Sequence, residues 1–169
     1  MKILLTGGAG YIGSHTLKQF LETDNEIVVL DNLSKGSQKS IDDLQNLREF
    51  NFVKMDLSDF EGVKRLFKEQ KFEAVVHFAA SIEVFESMQN PLKYYMNNTV
   101  NTANLVQTCL ENGTNNFIFS STAATYGEPK NPVVSETSEL KPINPYGRSK
   151  LMSEEVLRDA SMANSSFKH

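Results

Sequence analysis

The short apolar run Ile3–Thr6 breaks directly into Gly7-Gly8-Ala9-Gly10-Tyr11-Ile12-Gly13, and a helical pattern then runs from Ile12 to Glu22. Few local patterns restrict a fold as strongly. A strand that turns into a helix within a few residues needs glycine wherever a Cβ would block the turn. The spacing Gly7-x-x-Gly10-x-x-Gly13 supplies three such positions. They serve the turn itself, the approach of backbone to a pyrophosphate, and the packing of helix on strand. The amides of Tyr11 and Ile12 then point at phosphate oxygens, aided by the helix dipole. A plain strand–helix turn is the competing reading, and the rest of the chain has to separate the two.

The rest of the chain repeats the same alternation. Further strands are predicted at Ile27–Leu30, Phe52–Lys54, Ala74–Phe78 and Phe117–Ser120, several of them β-branched and unbroken, as in strands covered on both faces. Helices are predicted over Ile12–Glu22, Lys39–Arg48, Phe60–Glu69, Pro91–Asn112 and Asn144–Ala163, with Asn112-Gly113 as a stop. Alternating strand and helix implies an α/β fold with a doubly wound parallel sheet and right-handed crossovers. The segment Glu128–Pro145 holds Pro129, Pro132, Pro142 and Pro145 and reads as an extended loop of functional length. Five strands are visible where two mononucleotide-binding halves would have six. The expectation is one domain over residues 1–169, which is either a reduced fold of five strands or a fragment that stops before the sixth.

Bulk properties narrow the function. A chain of 169 residues suits one domain with a true core. The net charge of −4 argues against nucleic acid and against an anionic membrane surface. No apolar stretch approaches the roughly 20 residues that span a bilayer. The single cysteine, Cys109, excludes an internal disulfide and fits a reducing cytoplasmic setting. No His/Cys cluster has metal-ligand spacing.

Candidate site residues gather at the carboxyl ends of the strands, where open α/β sheets bind ligands. Asp31 closes the second strand and would accept hydrogen bonds from adenosine ribose hydroxyls while repelling a 2′-phosphate, which favours NAD over NADP. Lys35 lies near enough to soften that preference. Asp56-Leu57 follows the third strand, and Asp56 can bond an adenine amino group. His77-Phe78-Ala79-Ala80 ends the fourth, with small residues that let a cofactor approach. The fifth ends in Ser120-Ser121-Thr122. Tyr146 and Lys150, four apart on one helix face, form an acid–base pair, because a nearby ammonium favours phenolate. Several residues read as structural: His15 as helix packing, His77 and Cys109 as buried, and Glu154 and Glu155 as a solvated helix face.

Taken together, Thr6-Gly-Gly-Ala-Gly-Tyr-Ile-Gly-Ser-His15, Asp31-Asn32, Asp56-Leu57, His77-Phe-Ala-Ala80 and Tyr146-x-x-x-Lys150 resemble the extended short-chain dehydrogenase/reductases, a Rossmann-like superfamily. Within it, the stretches Pro91–Asn98, Phe117–Gly127 and Asn144–Glu154 are similar to the UDP-glucose 4-epimerase family. Related dehydratases carry Asp-Glu where this chain has Ala123-Ala124, which argues against water elimination. The resemblance implies that Tyr146 is the base, Lys150 its partner and a ribose ligand, Thr122 the catalytic hydroxyl, and Asn98 a pocket-lining residue. It implies NAD as cofactor and interconversion of UDP-glucose and UDP-galactose: oxidation at C4, rotation of the keto sugar, and re-reduction. It also implies a homodimeric full-length enzyme that continues with a sixth strand and a C-terminal substrate lobe, so that this chain is expected to be truncated before both, with strand five left as a bare edge and the fragment inactive by itself. Another nucleotide-sugar epimerase, a decarboxylase, or a non-catalytic NAD-binding module remain as alternatives.

Overall fold

The computed structural model describes residues 1–131 and 133–169; Pro132, part of the predicted proline-rich loop, lies outside the described residues. Five parallel strands, β1 (Lys2–Thr6), β2 (Glu26–Asp31), β3 (Asn51–Lys54), β4 (Ala74–His77) and β5 (Asn116–Phe119), lie in the order β3-β2-β1-β4-β5. The alternation of side chains along the central strands builds two separate cores. Ile3, Leu5, Ile27, Val29 and Val76 face helices α1 (Tyr11–Phe20) and α2 (Gln38–Gln45), where Leu17, Ile41 and Leu44 close the layer. Leu4, Val28, Leu30 and Val75 face the other way. They pack with Val63, Leu66 and Phe67 of α3 (Phe60–Gln70), Leu105 and Val106 of α6 (Asn101–Asn112), and Leu157 of α7 (Pro145–Ala163). The expected doubly wound parallel sheet is borne out, and its strand order reverses between β1 and β4.

Local chemistry explains most helix ends. Asp59 accepts from Gly62 N at 3.0 Å to cap α3, and α6 stops at Gly113, whose φ of +74° is the left-handed C-cap. Asn144 accepts from Gly147 N at 2.8 Å, with Pro145 at the first position of α7.

Three features depart from the sequence reading. A short helix, α4 (Val84–Gln89), was not predicted. The predicted helix from Pro91 is a composite of α5 (Pro91–Tyr94), a π-helical turn (Tyr95–Val100) and α6. The edge of β5 is also covered at its start. Lys168 N donates to Asn115 O at 2.8 Å and Phe117 N donates to Lys168 O at 2.9 Å. A parallel bridge, Asn116 to Lys168, results, and it buries Phe167 against Phe117. Ile118, pointing the other way, remains 61% exposed. No helix among the described residues is long and apolar enough to cross a membrane.

Candidate functional site

The reversal of strand order opens a crevice at the carboxyl ends of β1 and β4, and the glycine turn forms one wall of it. Gly7 has φ +73°, and a Cβ there would sit 2.5 Å from Ala79 N. The turn is therefore pressed against the backbone that leaves β4. At Gly13 a Cβ would fall 2.1 Å from Gly7 O, so this glycine lets α1 close onto the turn. The first backbone bond of α1 runs from Ser14 N to Gly10 O at 2.9 Å, so the amides of residues 11–13 precede the helical ladder. Tyr11 and Ile12 are exposed beside them, and His15 packs edge-on against Tyr11.

Asp31 is buried, and its carboxylate ties this turn to the next loop. Oδ2 accepts from Ala9 N at 3.0 Å and Oδ1 from Leu33 N at 2.8 Å. Leu33 pays for that turn with φ +61°, unusual for a branched side chain. Asn32 Nδ2 donates to Asp56 Oδ2 at 2.5 Å, and Ser58 N and Oγ donate to Asp56 Oδ1 at 2.8 and 2.7 Å. Partial burial would raise the Asp56 carboxyl, but these hydrogen bonds outweigh it and hold it below the usual carboxylate range. The Leu57 side chain is buried in the core with α3. Lys35 and Glu83 pair at 4.0 Å, with both side chains exposed, and so join the loops after β2 and β4.

At the end of β4, Phe78, Ala79 and Ala80 are half-buried. His77 just before them is buried and held from both sides. Thr102 Oγ1 donates to Asn98 O at 2.5 Å, so at the 3.0 Å contact with His77 Nε2 it acts as acceptor. That places the ring proton on Nε2, and Nδ1 accepts from Thr6 Oγ1 at 2.6 Å. Burial, with the Lys150 charge nearby, drives the His77 pKa down to about 3, so the ring is neutral.

Two contacts bring α7 to this edge. A Cβ on Gly147 would lie 2.6 Å from Ala124 O, so the first turn of α7 packs directly on the 3-10 turn Ala123–Tyr126. Thr122 caps that turn by accepting from Ala124 N at 3.2 Å, and its hydroxyl proton has no acceptor among the described residues. Tyr146 is half-buried, with the Tyr94 ring edge-on at 6.4 Å. The Tyr94 hydroxyl lies 2.7 Å from Glu83 O and 2.9 Å from Glu86 Oε2. Burial together with Glu86 raises its pKa to about 12, so Tyr94 remains a neutral phenol. Lys150 is 3% exposed, and its Nζ lies 4.2 Å above the Phe119 ring. Burial lowers its pKa to about 8, while Glu154 works in the opposite direction.

Asn98 departs from its expected place as a pocket-lining residue. It is buried in the π turn, where Oδ1 accepts from Ser81 N at 2.8 Å and Nδ2 donates to Ser81 O at 2.9 Å and Ser149 Oγ at 3.0 Å. Ser149 Oγ in turn donates to Tyr146 O at 2.8 Å. The residue thus braces the helix that carries Tyr146. Glu154 also departs from expectation: it is half-buried and accepts from Ser121 Oγ, whereas Glu155 is exposed as predicted. Cys109 is buried, and burial pushes its thiol pKa up. Ser149, Ser81, Phe119 and Tyr94 were not legible as site residues, because each contributes through a partner distant in sequence. No group of His, Cys, Asp or Glu among the described residues is arranged to hold a metal.

Comparisons with known proteins converge on one group. Residues 3–168 match the family described as the NAD dependent epimerase/dehydratase family. The UDP-Glc/GlcNAc 4-epimerase structure from Campylobacter jejuni is 77% identical with a TM-score of 0.98, over 99% of this chain and 51% of that one. The UDP-glucose 4-epimerase of Bifidobacterium longum, solved with NAD+ and UDP, is 32% identical with a TM-score of 0.95, over 99% of this chain and 51% of that one. The UDP-glucose 4-epimerase of Lacticaseibacillus casei is 44% identical over 163 residues, covering 96% of this chain and 48% of that protein. The chain spans about half the length of these relatives.

Proposed function

The chain belongs to the NAD dependent epimerase/dehydratase family, and from that premise we propose that it forms the cofactor-binding and catalytic half of an NAD-dependent UDP-sugar 4-epimerase. The residues present fit the dinucleotide. A Cβ at Gly7 or Gly13 would collide with backbone and break the turn that shapes the cradle, and the amides of residues 11–13 stand ahead of the α1 ladder. Gly7, Gly10, Tyr11, Ile12 and Gly13 would hold the pyrophosphate, and Asp31 with Asn32 the adenosine ribose. Asp56 and the Leu57 backbone would hold the adenine, while Phe78, Ala79 and Ala80 would line the nicotinamide side with Lys150. NAD, when bound, accepts the hydride from sugar C4 and gives it back to the opposite face.

The observation that carries this reading is the placement of Tyr146 and Lys150. They share one face of α7, whose first turn packs on the turn capped by Thr122. Tyr146 Oη would take the proton of the C4 hydroxyl and return it. The Lys150 ammonium would stabilise the phenolate, and Thr122 Oγ1, whose proton has no acceptor among the described residues, would bond the same sugar oxygen. Ala123 and Ala124 occupy the positions where related dehydratases carry an acid–base pair, which favours epimerisation over water loss. Replacing Tyr146 by Phe in the full-length protein tests the assignment. Interconversion of UDP-glucose and UDP-galactose is expected to fall by roughly a hundredfold or more while NAD stays bound. Unchanged turnover would favour a non-catalytic NAD-binding module.

The substrate range has a second reading. The neighbour at 77% identity acts, by its description, on both UDP-Glc and GlcNAc sugars. A dual range would appear as turnover of UDP-N-acetylglucosamine beside UDP-glucose, with both lost in the Tyr146→Phe variant.

A further inference from the structure

Lys150 occupies an unusual place for an ammonium. It is almost fully buried, with Nζ above the face of Phe119, and His77 stacks against Phe119 at a centroid distance of 5.8 Å and an interplanar angle of 26°. The titratable groups around it are few. From β4 comes His77, which is neutral; from α7 come Tyr146 one turn earlier and Glu154 one turn later; from α5, Tyr94 reaches the cluster through Tyr146 as a neutral phenol. A buried cation without a compensating charge tends to lose its proton rather than stay charged. Among these described neighbours Glu154 supplies the opposing negative charge, acting on Lys150 through the field.

Position i+4 on one helix places Glu154 on the Lys150 face. A free glutamate there would turn outward to water and lose most of its effect to screening. Ser121 prevents this: from the segment that leaves β5 it donates Oγ–H to Glu154 Oε1. The tether crosses from strand to helix and keeps the carboxylate half-buried. We propose that Glu154, tethered by Ser121, is a positioning residue that keeps the Lys150 side chain protonated at the working pH of the site. Glu154 touches no reacting atom in this role; it acts through Lys150. The role rests on the reading of Tyr146 and Lys150 as the catalytic pair, because its use is to preserve the positive charge beside the phenol.

The test reads Lys150 directly and needs no turnover. Protein labelled with 13C-lysine is titrated by NMR, with the Lys150 Cε resonance assigned from the spectrum of Lys150→Arg. The unmodified chain is expected to titrate near pH 8. Glu154→Gln is expected to lower that midpoint by about one pH unit, the scale of losing one opposite charge nearby. Ser121→Ala, which keeps the carboxylate but frees it, should shift the midpoint the same way by less. Glu155→Gln, one position along on the exposed face, should leave it in place. An unmoved midpoint in Glu154→Gln with native circular dichroism, or an equal shift in Glu155→Gln, overturns the proposal. Should Glu154→Gln fail to fold, the Ser121→Ala titration decides, and no shift there is equally fatal. Either negative result would leave the epimerase reading intact, and an inactive full-length protein would leave the Lys150 titration standing.

Discussion

Gly7 shows how much of the site rests on single residues. Its φ of +73° and its contact with the backbone at Ala79 leave no conformation in which a side chain fits. Gly7→Ala is expected to cost at least about 2 kcal/mol in urea unfolding, from left-handed strain plus displacement of the β4 exit, and to abolish NAD binding by calorimetry. The glycine positions were legible in the sequence because the need for a missing Cβ is local. Glu154 was not. Its neighbours in sequence are ordinary for a solvated face, and only the hydrogen bond from Ser121, a residue of the β5 exit, turns it inward.

At the scale of elements, most helices were legible from their periodicity and the stop at Gly113 from its sequence, while the caps Asp59 and Asn144, which act within one turn, emerged with the structure. The π turn Tyr95–Val100 did not. Its sequence, Tyr-Met-Asn-Asn-Thr-Val, gives no reason to widen a helix by itself. The widening goes with the work of Asn98, which joins Ser81 after β4 to Ser149 on α7, and with Thr99 Oγ1 donating to Ser149 O at 3.0 Å. Widened turns of this kind often mark functional sites. Asn98→Ala would leave the Ser81 amide and carbonyl without their partners at a partly buried position. A loss of about 2 kcal/mol in urea-induced unfolding is expected, together with a loosened α7 start, read as faster amide exchange at Gly147 and Arg148.

The whole molecule is two apolar layers on a sheet whose order reverses beside β1, and His77 sits where the layers meet the crevice. Its neutral ring links Thr6 of β1 to Thr102 of α6. Above pH 6.5 both folded and unfolded chains carry His77 neutral. As pH falls from 6.5 toward about 3, the unfolded chain binds this proton and the folded one resists it, so stability is lost across that window. The melting temperature of the unmodified chain should therefore drop more steeply between pH 6.5 and 4 than that of His77→Gln; parallel slopes would remove His77 from the account. The sequence by itself determined the alternation of strand and helix, the glycine turn, the helix stop at Gly113 and the Tyr146–Lys150 pair, because each depends on residues within a few positions of one another. Only the tertiary structure decided that Asn98 braces rather than lines, that Ser121 tethers Glu154, and that Phe167 and Lys168 cover the start of β5. Those outcomes depend on which distant groups remain to be buried or hydrogen-bonded once the chain has closed on itself.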